Sequence, residues 1–140
     1  MKKILFLHGF YASGQCIPAV ALREAFEGRV EVITPDLPMH PKETLRFIRG
    51  LIEAEKPDLL IGNSCGAFYA QMVAIQFDNC RPDYKDRIWG LFGEQDTLAH
   101  FEPIFLHHYN RSFHFPGGHT PTAEEVRSWY VPLAEKMLEF

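Results

Sequence analysis

A serine between two glycines follows directly on a short apolar run near the middle of the chain. Residues 59–61 lead into Gly62-Asn63-Ser64-Cys65-Gly66, and a helical pattern follows over residues 67–77. A strand that turns sharply into a helix leaves no room for flanking side chains and forces the central residue into a strained backbone conformation. The pattern therefore predicts a tight turn that exposes the Ser64 side chain at the top of a sheet, where a base can activate it as a nucleophile.

The rest of the chain alternates apolar runs with helical patterns. Strands are predicted at residues 4–7, 30–33, 59–61, 88–92 and 111–115, and helices at 17–26, 41–55, 67–77, within 101–109, and from 122 onward. This alternation is typical of βαβ units around a parallel sheet. With right-handed crossovers, the simplest arrangement is a three-layer α/β sandwich with a mostly parallel sheet.

The last helix carries its own start signal. Thr122 and Glu125 have the spacing of a capping box, and Pro132 should kink the helix further along. Its inward face is predicted to carry Val126, Trp129, Leu133 and Met137.

Size and charge exclude several classes of protein. The 140 residues are expected to form one domain, 1–140, with a core that needs neither disulfides nor metal. A net charge of −4 argues against nucleic acid or an anionic membrane as partner, because both require a basic patch. The cysteines, Cys16, Cys65 and Cys80, form no C-x-x-C pair.

The first apolar run ends at His8-Gly9 and is too short for the hydrophobic core of a signal peptide. No segment approaches the length that spans a membrane. We therefore expect a soluble cytoplasmic protein with no membrane partner. The oligomeric state does not follow from the sequence.

A serine nucleophile requires a histidine base and a carboxylate that orients the histidine, and for a serine on a strand-to-helix turn of this kind the expected chain order is serine, acid, histidine. Gly93-Glu94-Gln95-Asp96 follows the fourth predicted strand, and Gly117-Gly118-His119 follows the fifth. Because the carboxyl ends of parallel strands meet at one edge of the sheet, both loops should face Ser64. Asp96 is preferred over Glu94, which lies closer to the strand end and is expected to be solvated.

Four short motifs resemble the landmarks of the α/β-hydrolase fold. They are Leu7-His8-Gly9-Phe10, Gly62-Asn63-Ser64-Cys65-Gly66, Gly93-x-x-Asp96 and Gly118-His119. The chain is similar in particular to the small bacterial YqiA-like esterases, whose first loop also reads His-Gly-Phe. The resemblance implies a reduced α/β-hydrolase fold that cleaves a small-molecule carboxylic ester or thioester through an acyl-serine intermediate, without a cofactor. It also implies roles for five residues: Ser64 as nucleophile, His119 as base, Asp96 as its orienter, and the backbone N–H groups of Phe10 and Cys65 as the oxyanion hole.

The sequence departs from that family in one segment. About ten residues, 78–87, join the third helix to the fourth strand, where the family places another strand and often a lid. Either the chain is a minimal version or a segment is missing, and a catalytically silent binding or interaction module is the competing hypothesis. Without a lid, we expect a shallow groove lined by Tyr11, Phe68 and Phe101, in which ester cleavage improves from acetyl to about butyryl or hexanoyl and then levels off.

Several other residues have simpler interpretations. His8 is expected to bond the backbone beneath the oxyanion loop. The Cys65 thiol is not favoured as nucleophile, because its side chain should point into the helix.

Two patterns that could indicate other ligands are incomplete. Gly9-x-x-x-x-Gly14 lacks the lysine of a phosphate-binding P-loop. The adjacent His107 and His108 would point about 100° apart on a helix, so no metal site is predicted. Phe68, Phe101 and Phe105 either line an acyl pocket or fill the core, and the core is the preferred interpretation.

Overall fold

The computed structural model describes residues 1–38, 40–78 and 82–139. Cys80 lies outside the described residues. The elements, in chain order, are β1 (Lys2–Leu7), α1 (Ile17–Ala25), β2 (Val30–Ile33), α2 (Pro41–Glu55), β3 (Leu59–Gly62), α3 (Cys65–Asp78), β4 (Trp89–Gly93), α4 (Glu102–His108), β5 (Arg111–Phe115), α5 (Ala123–Glu125) and α6 (Val131–Met137). A π-helical turn, Val126–Tyr130, joins α5 to α6, and short 3₁₀ turns precede β4 and α4.

Strand β1 is the centre of the molecule, and its alternating side chains serve two separate cores. Ile4 and Phe6 pack with α1 and the C-terminal helices, whereas Leu5 and Leu7 pack with α2 and α3. Successive side chains of a strand point to opposite faces, so one strand buries residues on both sides. The result is a sheet between two helical layers, which confirms the predicted three-layer α/β sandwich.

All strand pairs are parallel, as predicted, but the five strands form two hydrogen-bonded groups. One group has the order β2-β1-β3, and the other is the pair β4-β5. Nearly all Cα–Cα distances between β3 and β4 exceed 8 Å, against a spacing of about 4.8 Å for paired strands. Within the described residues the five strands therefore form two separate groups, with a gap between β3 and β4.

The C-terminal helix confirms its predicted start but not its predicted face. The Thr122 hydroxyl accepts a hydrogen bond from the Glu125 N–H, and the Glu125 carboxylate accepts one from the Thr122 N–H. The π-helical turn just before Pro132 inserts an extra residue, so that Val131, five residues after Val126, takes the next buried position. Trp129 is consequently turned outward, and its predicted inward position is wrong.

None of the helices in the described ranges combines the length and the apolar character needed to cross a membrane.

Candidate active site

Ser64 occupies the predicted strand-to-helix turn between β3 and α3. Its φ of 57° lies in the left-handed region, which confirms the expected backbone strain. A Cβ at Gly62 would lie 2.3 Å from the carbonyl oxygen of Gly66, and a Cβ at Gly66 would lie 2.0 Å from that of Leu7. Both glycines are therefore required for steric reasons, and the turn holds Ser64 at the carboxyl end of the sheet.

A chain of hydrogen bonds joins Ser64, His119 and Asp96. The distance between His119 Nε2 and Ser64 Oγ is 2.8 Å, and that between His119 Nδ1 and Asp96 Oδ2 is 2.9 Å. Because an ionised carboxylate only accepts, Nδ1 carries the proton and Nε2 accepts from the serine hydroxyl. The structure thus brings together the three residues that the sequence proposed.

The Asp96 carboxylate is held at both oxygens. Oδ2 accepts from His119, and Oδ1 accepts from the backbone N–H of Leu98 at 2.9 Å. Burial acts to raise the pKa of Asp96, but the hydrogen bonds from Leu98 and His119 outweigh it and hold that pKa below its ordinary value. The Asp96 side chain is 15% exposed and that of His119 is 44% exposed, so solvent reaches the base but hardly the acid.

The loops that carry the acid and the histidine are tied together through their backbones. The N–H of Glu94 donates to the carbonyl of Phe115 at 2.9 Å, and the N–H of Gln95 donates to that of Gly117 at 2.8 Å. A Cβ at Gly93 would lie 2.6 Å from the Gly117 oxygen, so this close approach requires glycine. Glu94 itself is exposed, as expected.

The close approach at Gly93 and the hydrogen bond from the Leu98 N–H contribute to the site without having been predicted from the sequence. Two features of the sequence could have indicated them. Gly93 stands at the end of a predicted strand, and aspartate side chains such as that of Asp96 commonly bond the backbone N–H two residues further on.

The loop after β1 lies against Ser64. A Cβ at Gly9 would lie 3.0 Å from the Ser64 Cβ, so the backbone of Gly9 packs directly against the nucleophile. His8 beneath it is buried; its Nε2 accepts from the Leu37 N–H at 2.9 Å, so its Nδ1–H donates to the Gly9 carbonyl at 2.8 Å. This confirms the structural interpretation of His8 and fixes its neutral tautomer.

Cys65 is the first residue of α3, directly after the strained serine. Burial raises the pKa of its thiol. A raised pKa disfavours the thiolate, which is the nucleophilic form. The raised pKa counts against this thiol as a nucleophile, and the imidazole of His119 is hydrogen-bonded to the Ser64 hydroxyl.

A cavity of about 1470 Å³ opens beside Ser64 and continues between β3 and β4. Phe68 and Phe101 line this cavity. Their side chains are 59% and 48% exposed, so the interpretation that these two residues fill the core is wrong. Tyr11, 86% exposed, is not among the lining residues. The site is therefore a deep gap rather than the expected shallow groove.

Tyr130 lies at the base of this gap. Burial, followed by the nearby Glu125 and Asp96 carboxylates, raises the pKa of its phenol well above its ordinary value. Over the described ranges, the His, Cys, Asp and Glu side chains form no group of three or more that is able to hold a metal ion.

The element order, the parallel strands and the turn at Ser64 are those of the α/β-hydrolase fold. The chain belongs to the uncharacterised protein family UPF0227, whose model matches residues 3–80. This confirms the family to which the sequence motifs pointed. No protein of curated function matches the sequence.

Solved structures share this fold at low sequence identity. Est1E from Butyrivibrio proteoclasticus superposes with a TM-score of 0.79 at 13% identity, over 99% of this chain and 89% of that chain. A predicted CIB-like hydrolase from Thermoplasma acidophilum gives 0.66 at 16% identity, over 98% and 86% of the two chains. The esterase Pf2001 from Pyrococcus furiosus gives 0.56 at 14% identity, over 99% and 79%.

Proposed function

We propose that the protein is a serine hydrolase that cleaves a carboxylic ester or thioester through an acyl-serine intermediate. The observation that carries the proposal is the hydrogen-bonded chain from Asp96 through His119 to Ser64, built on a strained turn. Three loops distant in sequence place the carboxylate, the imidazole and the hydroxyl in one hydrogen-bonded chain, the geometry that acyl transfer to a serine uses.

In the acylation step, Ser64 Oγ attacks the carbonyl carbon of the substrate while His119 Nε2 takes the hydroxyl proton. Asp96 keeps the His119 Nδ1–H oriented and stabilises the imidazolium that forms. The carbonyl oxygen becomes an oxyanion, for which the backbone N–H groups of Phe10 and Cys65 are the proposed donors. Loss of one such donor typically costs about 2.7–4 kcal/mol of transition-state stabilisation.

Collapse of the tetrahedral intermediate breaks the bond to the leaving alkoxide or thiolate, which receives the proton from His119. Water then attacks the acyl-serine, with His119 again acting as base, and the carboxylic acid is released. The sequence of steps needs no cofactor.

The names of the structural neighbours agree with this chemistry. Pf2001 is described as an esterase, the Thermoplasma acidophilum protein is described as a predicted CIB-like hydrolase, and Est1E has also been solved with ferulic acid bound. Their identity to this chain is low, so they support the ester class and do not indicate a particular acyl group.

A fluorophosphonate probe tests the proposal, because it phosphonylates only an activated serine. We expect the wild type to be labelled at Ser64 and Ser64→Ala to lose both labelling and ester hydrolysis. Cys65→Ala is the matched control and should still be labelled. Labelling that persists in Ser64→Ala would overturn the assignment, and an unlabelled wild type would favour the catalytically silent binding module.

A further inference from the structure

The gap between β3 and β4 has the construction of an empty strand position. Among the described residues, β3 pairs only with β1 and β4 pairs only with β5, and the other edge of each strand borders the cavity. Two strand spacings amount to about 9.6 Å, in keeping with Cα–Cα distances that nearly all exceed 8 Å. The facing edges present main-chain N–H and C=O groups, the template to which an added strand binds.

Helices cover this gap above and below the plane of the sheet. Ala74 and Phe77 of α3 line it on one face, and Leu133 and Met137 of α6 line it on the other. An inserted segment would thus be surrounded by apolar side chains on both faces, as an interior strand of a parallel sheet is. An ordinary ligand groove needs only apolar walls, whereas this one also has two unpaired strand edges.

We propose that the gap binds an extended peptide of about four to five apolar residues, the length of the two strands that flank it, as a strand between β3 and β4. The peptide runs parallel to both strands, so that its carboxyl end reaches the Ser64 turn. The proposal does not rest on ester hydrolysis, because the binding groups are the backbones of β3 and β4.

The charges at the other end of the gap define the peptide further. The amino ends of β3 and β4 lie there, together with the end of α6, which contacts Lys2. The charged residues that line this end of the cavity are Asp58, Asp83, Asp86, Arg87, Lys136 and Glu139. Acidic side chains outnumber basic ones, so a peptide that enters in the parallel direction is favoured when its amino end carries lysine or arginine.

Hydrogen exchange with a synthetic peptide of sequence Lys-Lys-Val-Leu-Val-Ile-Thr tests the proposal. We expect the peptide to slow exchange of the backbone amides in Leu59–Gly62 and Trp89–Gly93. The outer edges of β2 and β5, which pair with no further strand in the part of the chain that the structure describes, serve as the internal comparison and should not change. Ser64→Ala should bind the peptide as the wild type does, because the hydroxyl takes no part.

Two altered peptides separate strand pairing from simple apolar binding. Methylation of alternate backbone nitrogens leaves the peptide as apolar but removes donors, and should weaken binding by about tenfold or more. Replacement of both lysines by glutamate should weaken binding in low salt. On the protein side, Ala74→Trp should fill the gap and abolish binding.

Equal binding of the methylated peptide would overturn the proposal, since it would show an apolar pocket rather than a strand site. Protection confined to β2 or β5, or no protection at millimolar peptide, would also overturn it.

Discussion

Gly66 lies so close to Leu7 that a Cβ at Gly66 would lie 2.0 Å from the Leu7 carbonyl oxygen. This contact packs the start of α3 against the end of β1. Ser64 therefore sits where the sheet's carboxyl edge meets the loop that carries Gly9 and Phe10. Because Gly66 has no side chain, α3 can pack against β1 and Ser64 can take its position in the candidate site.

Gly66→Ala should destabilise the protein by about 3 kcal/mol or more, because the added methyl group meets main-chain atoms rather than a mobile side chain. Chemical denaturation monitored by circular dichroism measures the loss. Gly50→Ala is the matched control: that glycine lies in the exposed middle of α2 with nothing near its Cβ position. It should raise the free energy of unfolding by about 0.5–1 kcal/mol. Wild-type stability of Gly66→Ala would contradict the packing described.

Asp96→Asn should lower kcat by a factor on the order of 10⁴, because an amide no longer fixes the His119 tautomer or stabilises the imidazolium. Affinity for the substrate should change little. Glu94→Gln, two residues away and exposed, should keep nearly full activity. Steady-state kinetics of both variants with one ester measure the effect. An inactive Glu94→Gln beside an active Asp96→Asn would show that Glu94, and not Asp96, orients His119.

The lowered pKa of Asp96 makes its contribution to stability dependent on pH. An unfolded aspartate titrates near pH 3.9. Since the folded value is lower, ionised Asp96 stabilises the native state above that range, and the contribution disappears as the pH falls through the folded pKa. The difference in unfolding free energy between the wild type and Asp96→Asn should therefore shrink below about pH 4. Urea titrations at several acidic pH values measure it, and a constant difference would argue against the ionised pair.

The depth of the gap changes the acyl-chain dependence that we expect of an ester hydrolase. Each buried methylene adds up to about 0.8 kcal/mol of binding. For p-nitrophenyl esters, kcat/KM should continue to rise beyond hexanoyl, instead of levelling off as a shallow groove would require. Ala74→Trp, which narrows the gap, should restore an early plateau. A plateau at butyryl in the wild type would show that the acyl chain does not enter the gap.

The parts of the fold that the sequence predicts well are those specified by local chemistry. The tight turn at Ser64 follows from two glycines, the capping box from Thr122 and Glu125, and the start of α2 from Pro41 at its first position. The order of serine, acid and histidine along parallel strands was enough to bring the candidate triad together.

The parts that the sequence does not predict depend on distant pairing. Apolar patterns identify β3 and β4 as strands but do not state whether the two are hydrogen-bonded neighbours, so the gap was missed. The outward position of Trp129 results from the π-helical turn beside Pro132. This turn shifts the helix face that points inward, whereas the prediction assumed a regular α-helical period. Phe68 is exposed because it lines this gap.

The division of the strands into two groups also separates the candidate triad. Ser64 follows β3 in one group, whereas Asp96 and His119 follow β4 and β5 in the other, and the strands of the two groups share no ladder hydrogen bond within the described residues. A partial opening that moves β4 and β5 away from β1 and β3 would break the bond between Ser64 and His119 while most of the secondary structure persists. On heating, activity should accordingly disappear before the helices melt. The upper temperature limit of activity would then be set by the packing between the two strand groups rather than by global unfolding.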